Sequence, residues 1–295
     1  MIVTNSNELN KYTDRKTAVA LGSFDAMHKG HLEVIGQAVA FAKEKGIYSL
    51  VQLFETVPKL DVAAINTLSA RIGIVKELGV NIVVVEPFDD DFKNTSPEHF
   101  VKQYLSEIYN ASAVFAGDNY RFGHKASGNA DKLRKECSKY GITTKIIECV
   151  KQGEVISSTR IRESIRQGNV EAAAQLMTRP YMLEGKVVHG RGVGHTIGFP
   201  TANIEIPKNL IIPKDGVYLT DVTVLGQNFK GITNIGSKPT VDVREKNIET
   251  YIEGFDDDIY DTTIKLEFLK FIRNIKKFDS LDELKKQLKK DKKQL

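Results

Sequence analysis

Up to residue 178 short apolar runs alternate with amphipathic stretches, and past Arg179-Pro180 that alternation stops. Thr17–Leu21 reads as a buried strand. His31–Lys45 repeats apolar residues at Leu32, Ile35, Val39 and Ala42 before Gly46, the spacing of a helix and its stop. Ile47–Phe54, Asn81–Val85, Ala113–Ala116 and Ile142–Val150 read as further strands. The helices between them are Ser69–Leu78, the stretch opened by Ser96-Pro97-Glu98 and running to Tyr109, and Ala130–Tyr140. Strands separated by helices require right-handed crossovers, so the first half is expected to be α/β, a parallel sheet with helices on both faces. In the second half β-branched runs at Lys186–Val188, Gly216–Val224, Gly231–Ile235, Ile248–Ile252 and Thr262–Leu269 alternate with turn-forming pairs. Their spacing suggests a small antiparallel β-barrel. The expected domains are residues 1–178 and 179–295.

Hydrophobic residues fill 41% of the 295 positions and charged residues 27%, which is enough apolar material for two cores. No apolar run approaches the roughly 20 residues that cross a bilayer. Met1–Lys16 is polar and mixed in charge, without the pattern of a secretory signal. A cytoplasmic protein without a membrane partner is expected. Cys137 and Cys149 form no CxxC pair, so two buried, reduced thiols are expected rather than a disulfide framework or zinc ribbon. The formal net charge of +4 is concentrated at Lys285, Lys286, Lys289, Lys290, Lys292 and Lys293. Ser280 and Glu283 form a capping box there, and Leu281, Leu284 and Leu288 recur at helical spacing. A terminal helix with one apolar seam and a solvated lysine face accounts for these residues; a basic arm touching RNA or lipid is the alternative.

The segment Leu21-Gly22-Ser23-Phe24-Asp25-Ala26-Met27-His28-Lys29-Gly30-His31 follows a buried strand and opens a helix. That is the crevice where open α/β sheets bind ligands. His28 and His31 bring two imidazoles to a helix N-terminus, where backbone NH groups and the helix dipole already favour anions. Imidazoles so placed can donate hydrogen bonds to phosphates as charge grows on them. Ile156-Ser157-Ser158-Thr159-Arg160-Ile161-Arg162 starts another helix with hydroxyls and arginine forks, which also suit a polyphosphate. Gly117-Asp118-Asn119-Tyr120-Arg121-Phe122-Gly123 follows a strand, and from that turn Asn119 could reach a ligand. No GxxxxGK[ST] occurs, so ATP use cannot rest on a P-loop.

With these three segments in order, the first half resembles the Rossmann-like HxGH nucleotidyltransferase superfamily, and within it the adenylyltransferase domain of bacterial bifunctional FAD synthetases. The resemblance implies ATP held by Gly22, Phe24, Asp25, Gly30, Ser158, Thr159 and Arg160, with His28, His31, Asn119 and Arg162 serving the transfer. It implies FMN on the side of Phe54 and Pro58. The FMN phosphate would attack the α-phosphorus of ATP and release pyrophosphate, with Mg²⁺ neutralising the leaving group. Three positions depart from the family: Ala26 for its Gly, Phe54-Glu55-Thr56-Val57-Pro58 for its Phe-x-Pro-His-Pro, and Met177-Thr178 for a Leu-Gly.

In the second half Gly185, Gly190, Gly192 and Gly194 lead into Gly198-Phe199-Pro200-Thr201-Ala202-Asn203. On an extended chain Thr201 and Asn203 face one side, and such hard oxygens suit Mg²⁺ carrying substrate phosphates. Together with Asn234-Ile235-Gly236-Ser237-Lys238-Pro239-Thr240, the stretch Glu249–Phe255 and the run Leu269–Phe278, this half resembles the riboflavin kinase module. The resemblance implies ATP at Gly185, Lys186, Gly190, Gly192 and Gly194, Mg²⁺ at Thr201 and Asn203, and riboflavin at Asn234 and Arg273. It also implies Glu249 as the base for the ribityl hydroxyl. Tyr251 and Gly254 stand where the family often has His and Asp. Three readings follow: an enzyme making FAD from riboflavin with ATP, an FMN adenylyltransferase whose barrel binds flavin but phosphorylates weakly, and a flavin-responsive RNA-binding regulator. Small-molecule partners are expected and nucleic acid is not; the oligomeric state is not legible.

Overall fold

The structure, a computed structural model, describes residues 1–12, 14–57, 62–190, 198–205, 209–238 and 245–295. The chain forms two compact units, Met1–Ser158 and Thr159–Leu295.

In the first unit six strands lie parallel in the order β1-β4-β3-β2-β5-β6: β1 Ile2–Thr4, β2 Thr17–Leu21, β3 Tyr48–Phe54, β4 Ile82–Glu86, β5 Ala111–Gly117 and β6 Thr143–Ile147. Helices α1 (Lys29–Lys45) and α2 (Leu68–Glu77) cover one face. Val34, Ile35, Ala38, Ile74 and Val75 pack there on Ala18, Ala20, Val51, Leu53 and Phe115. Next come α3 (Asp90–Lys93), α4 (Pro97–His99), a widely wound helix Phe100–Ile108 and α5 (Ala130–Ser138). Phe100, Val101, Leu105, Leu133 and Cys137 close the other face on Val19, Leu21, Leu50 and Val114. Each fully buried aliphatic side chain of these layers contributes roughly 1.5–3 kcal/mol. Ser96 Oγ accepts from His99 N as the motif implies. The helix then winds wider, with Tyr109 N donating to Tyr104 O five residues back. Strand order reverses between β2 and β5, which puts the crevice at their carboxyl ends. A short hairpin, β7 (Lys151–Gln152) with β8 (Glu154–Val155), follows the sheet.

The second unit opens on α6 (Ser158–Arg166), which begins at the last residue of the first unit, and α7 (Val170–Met177). The expected boundary lay after residue 178. By packing, the residues between 159 and 178 go with the barrel: α7 lies on its strands, and Gly168 lies against Tyr218 and Phe271. The barrel is closed and antiparallel in the order β10-β13-β12-β11-β14-β9. Its strands are β9 Tyr181–Val188, β10 Thr201–Glu205, β11 Gly216–Val224, β12 Gln227–Lys238, β13 Glu245–Ile252 and β14 Thr263–Arg273. Tyr218, Val222, Ile235, Leu266 and Phe268 fill it. Buried Thr220, Thr233 and Thr250 satisfy one another across three strands, with hydroxyl separations of 2.9 Å and 2.9 Å. Helix α8 (Leu281–Lys292) ends the chain, with Ser280 Oγ accepting from Glu283 N.

Candidate functional site

The turn from β2 into α1 is held by strain and by hydrogen bonds. Phe24 and Met27, both fully buried, sit at φ +46°, a left-handed backbone that non-glycine residues adopt only where the surroundings enforce it. Asp25 supplies part of the enforcement. It is 1% exposed, its Oδ1 accepts from Ile65 N (2.9 Å) and Asn66 N (3.5 Å), and its carbonyl accepts from Asn66 Nδ2 (2.5 Å). Expected at the nucleotide, Asp25 thus ties the HxGH turn to the segment entering α2. Ala26 has no positive φ, so the family's glycine is not demanded by the backbone. Gly22 packs beneath the Phe24 ring.

His28 is the N-cap of α1, and its Nδ1 accepts from His31 N at 3.3 Å. An accepting Nδ1 puts the proton of the neutral ring on Nε2, which makes that atom the donor. The two imidazoles stack at 3.7 Å and 20°, and Phe24 meets His31 edge-on at 5.3 Å. Gly30 lies between His28 and Val150. Lys29 Nζ donates to Gln152 Oε1 at 2.9 Å, bringing the β7–β8 hairpin onto the start of α1. Ile156 N returns to Val150 O, so Ser157 and Ser158 leave directly from a segment whose Val150 side chain lies near Gly30. Thr159, Arg160 and Arg162 belong to the second unit; there Arg162 is 4% exposed and Arg160 O accepts from Ser164 Oγ.

Asn119 is exposed on the turn after β5, where Tyr120 N donates to Gly117 O. A cavity of about 580 Å³ opens there, lined by Asp118, Asn119, Glu148, Cys149, Lys151 and Val155. Cys149 is half-buried, unlike Cys137, and its Sγ donates to Asp118 Oδ1 at 2.6 Å. Burial, then that carboxylate, pushes the Cys149 thiol up to about 11, so it remains a donor. The same hydrogen bond holds Asp118 below the usual carboxylate range.

Phe54, at the carboxyl end of β3, is 9% exposed and meets Phe88 and Phe92 edge-on at 5.1 and 5.2 Å. Buried Arg71 of α2 donates from Nη2 to Phe54 O (2.8 Å) and Glu55 O (3.2 Å), fixing where the chain leaves the strand. Pro58, Gly192 and Gly194 lie outside the described residues.

In the barrel, strand register gathers several expected residues. Asn203 pairs with Glu249, and Glu249 pairs with Asn234 on its other side. All three are half-buried on the outer face, and Thr201 shares the Asn203 side of β10. Glu249 Oε1 accepts from Asn247 Nδ2 at 2.6 Å. Gly190 is pressed against the Asn203 amide: a Cβ there would stand 2.5 Å from Cγ and 2.8 Å from Oδ1. Gly185 is buried in β9, and Lys186 is exposed and paired with Asp261 at 2.8 Å. Among the described residues no cluster of His, Cys, Asp or Glu could hold a metal. The neutral oxygens of Thr201 and Asn203 beside Glu249 fit a magnesium ion carried by phosphates rather than one bound by protein alone.

Arg273, expected at the flavin, is engaged by the terminal helix. Its Nε and Nη2 donate to Asp291, the contacts to Oδ2 being 3.2 and 2.7 Å, and Asp291 is 2% exposed. Next along the chain, Lys292 Nζ donates to Tyr251 Oη (3.1 Å) and pairs with Glu253 (3.0 Å). Helix α8 is therefore anchored by an ion pair, and of its leucines Leu281 is exposed while Leu284 and Leu288 are half-buried. Sequence reasoning missed Asp291 because it sits inside a lysine run. Tyr251, Glu253, Gly254 and Lys292 line a cavity of about 220 Å³ with Gly198 and Pro200. Gly254, at φ +70°, makes a turn that would strain the family's Asp.

A family model described as FAD synthetase matches residues 10–160, and one described as riboflavin kinase matches residues 177–295. The bifunctional riboflavin kinase/FMN adenylyltransferase of Bacillus subtilis (strain 168) is 34% identical over 300 residues, spanning 98% of this chain and 95% of its own. The protein of the same description from Listeria monocytogenes serovar 1/2a is 35% identical over 290 residues, spanning 96% and 92%. A crystal structure described as a macrolide-efflux protein from Streptococcus pneumoniae matches with a TM-score of 0.90 at 32% identity, over 99% of this chain and 98% of that one.

Proposed function

Because the chain belongs to the family of bifunctional riboflavin kinase/FMN adenylyltransferases, we propose that it makes FAD in two transfers, each run by its own set of side chains. One observation carries the division: the stacked imidazole pair sits at the start of a helix in the first unit, and the Asn203–Glu249–Asn234 row lies on the barrel.

In the first transfer an FMN phosphate oxygen attacks the α-phosphorus of ATP and the bond to pyrophosphate breaks. His28, through Nε2, and His31 donate to the phosphate oxygens on which charge accumulates, each worth about 10²–10³ in rate by analogy with oxyanion donors. Asp25 and the strained turn keep both rings in place. Assigning Ser158, Thr159, Arg160 and Arg162 to the same triphosphate, and Asn119 to the transfer, rests on the sequence motifs. In the second transfer the ribityl 5′-hydroxyl attacks the γ-phosphorus of a second ATP while Glu249 takes its proton and ADP leaves. Thr201 and Asn203 would hold the Mg²⁺, which when bound would neutralise phosphate charge there. Asn234 faces the flavin, and Gly190 lets the Asn203 amide lie against the chain. Arg273 serves the flavin side through the fold, by holding α8. ATP, FMN and riboflavin are the substrates, and the two unpaired thiols suit the cytoplasm.

The description of the Streptococcus structure raises an efflux role; among the described residues no helix is long and apolar enough to cross a membrane. The test is chromatography of flavins after incubation with MgATP, starting separately from riboflavin and from FMN. The proposal requires FMN and FAD from the first and FAD from the second. FAD from FMN with no product from riboflavin would leave the adenylyltransferase alone.

A further inference from the structure

Gln52 lies on β3 two residues before Phe54, is 2% exposed, and its Nε2 has no hydrogen-bond acceptor among the described residues. A buried NH₂ group without an acceptor is costly, and its persistence in a fold calls for a partner that arrives from outside. Alternation along the strand says which way Gln52 points. Val51 and Leu53 belong to the layer under α1 and α2, and Leu50 to the opposite layer. Gln52 and Phe54 share the face of Leu50. Glu86 lies at the carboxyl end of the neighbouring β4, and its two oxygens already accept from Tyr109 (2.9 Å) and Ser6 (3.0 Å). The layer is otherwise apolar and aromatic: ring contacts run from Phe54 to Phe92, from Phe92 to Phe100, and from Phe100 to Phe122. Gln52 lies inside this closed layer, two residues before Phe54 at the carboxyl end of β3, so a group that reaches its amide enters at that end past the aromatic rings and must be flat, with hydrogen-bond acceptors along one edge.

We propose that the Gln52 carboxamide reads the polar edge of the flavin, donating from Nε2 to a carbonyl of the isoalloxazine ring of FMN. The inference rests on the adenylyltransferase reading and extends it to orientation: the carbonyl edge faces the sheet and the dimethylbenzene edge points away. Phe54 supplies apolar surface, and Gln52 supplies the one contact that distinguishes the two edges.

Gln52→Met keeps the length and most of the volume but removes the donor. In the full chain without flavin it should raise the unfolding midpoint by about 2–4 °C, because a buried NH₂ lacking an acceptor is gone. FMN binding, followed by flavin fluorescence, should weaken about tenfold. Wild type should bind FMN better than its 2-thio or 4-thio analogue, whose sulfur accepts poorly, and the variant should lose that preference. Phosphorylation of riboflavin should not change, because Asn203 and Glu249 are untouched. Unchanged FMN affinity in the variant, with wild type converting FMN to FAD, overturns the inference and leaves the reading intact. A variant that is destabilised or fails to fold also overturns it, since the amide would then be satisfied in the empty protein. A wild type that forms no FAD from FMN removes the reading and the inference together.

Discussion

Replacing Gly190 with alanine should cripple the kinase reaction and spare adenylylation. The new methyl would overlap Asn203 Nδ2, its nearest neighbour, and stand 2.5 Å from Cγ; ordinary van der Waals contact begins at 3.4 Å, so the amide must retreat by more than 3.4 − 2.5 = 0.9 Å or the backbone must yield. Asn203 cannot follow freely, because β10 is paired with β13 on one side and β9 on the other. A displacement of about 1 Å in a positioning group costs about 10²-fold in rate. Overpacking of this kind costs about 1–3 kcal/mol in stability, too little to unfold a domain of ordinary stability. The assay is initial-rate chromatography of FMN formed from riboflavin over a range of Mg²⁺, with FAD formed from supplied FMN as the internal control. A fall of about 100-fold in kcat/KM for riboflavin is expected, with a higher Mg²⁺ requirement and a normal control rate. Gly36→Ala, whose Cβ meets nothing within 4 Å, should change neither rate. Wild-type kinase kinetics in Gly190→Ala would refute the placement of Asn203 at the metal and phosphates.

Three further outcomes concern stability. Thr178 ends α7 at φ +64°, where the family has glycine, so Thr178→Gly should stabilise the chain by about 1 kcal/mol in denaturant unfolding, and a loss would contradict the strain argument. Asp291→Ala strands Arg273, whose side chain is 22% exposed, and should cost about 3 kcal/mol; a neutral result would mean that α8 is held by other contacts. Burial raises the Glu86 carboxyl above its ordinary 4.5 despite hydrogen bonds from Tyr109 and Ser6. Ionisation is then easier in the unfolded chain, so this residue subtracts stability as pH rises from 4.5 toward neutrality. Unfolding midpoints of Glu86→Gln should exceed wild type increasingly across that window and converge with it below; a pH-independent difference would contradict the assignment.

Residues that carried their structure locally were legible. Thr17–Leu21 and Gly216–Val224 are strands with the bounds read from the sequence, because apolar and β-branched runs end there at turn residues. β1 was missed, since three residues with an exposed edge show no period. β10 was read only as extended chain, being polar and short. The wide winding of Phe100–Ile108 leaves the apolar pattern of an ordinary helix intact, so nothing in the sequence separates the two. At the sites, the histidine pair and the Thr201–Asn203 spacing were visible because each motif is contiguous. Asp25 with Asn66, Lys29 with Gln152, and Arg273 with Asp291 were not, because each joins residues that only the fold brings together. The boundary after residue 178 followed the change in pattern, whereas packing follows α7 onto the barrel.

The central claim is that the two transfers use separate side-chain sets, and mixing two crippled chains tests it most directly. Riboflavin and MgATP are supplied to a His28→Ala, His31→Ala chain, to a Glu249→Gln chain, and to an equimolar mixture, with FMN and FAD followed by chromatography. The first chain should accumulate FMN and stop, which also reports that its barrel is folded. The second should form FMN about 10²–10⁴ times more slowly than wild type, yet convert supplied FMN to FAD at the normal rate. The mixture should produce FAD from riboflavin through free FMN. FAD synthesis by the double-histidine variant alone, or undiminished FMN formation by Glu249→Gln, would contradict the account.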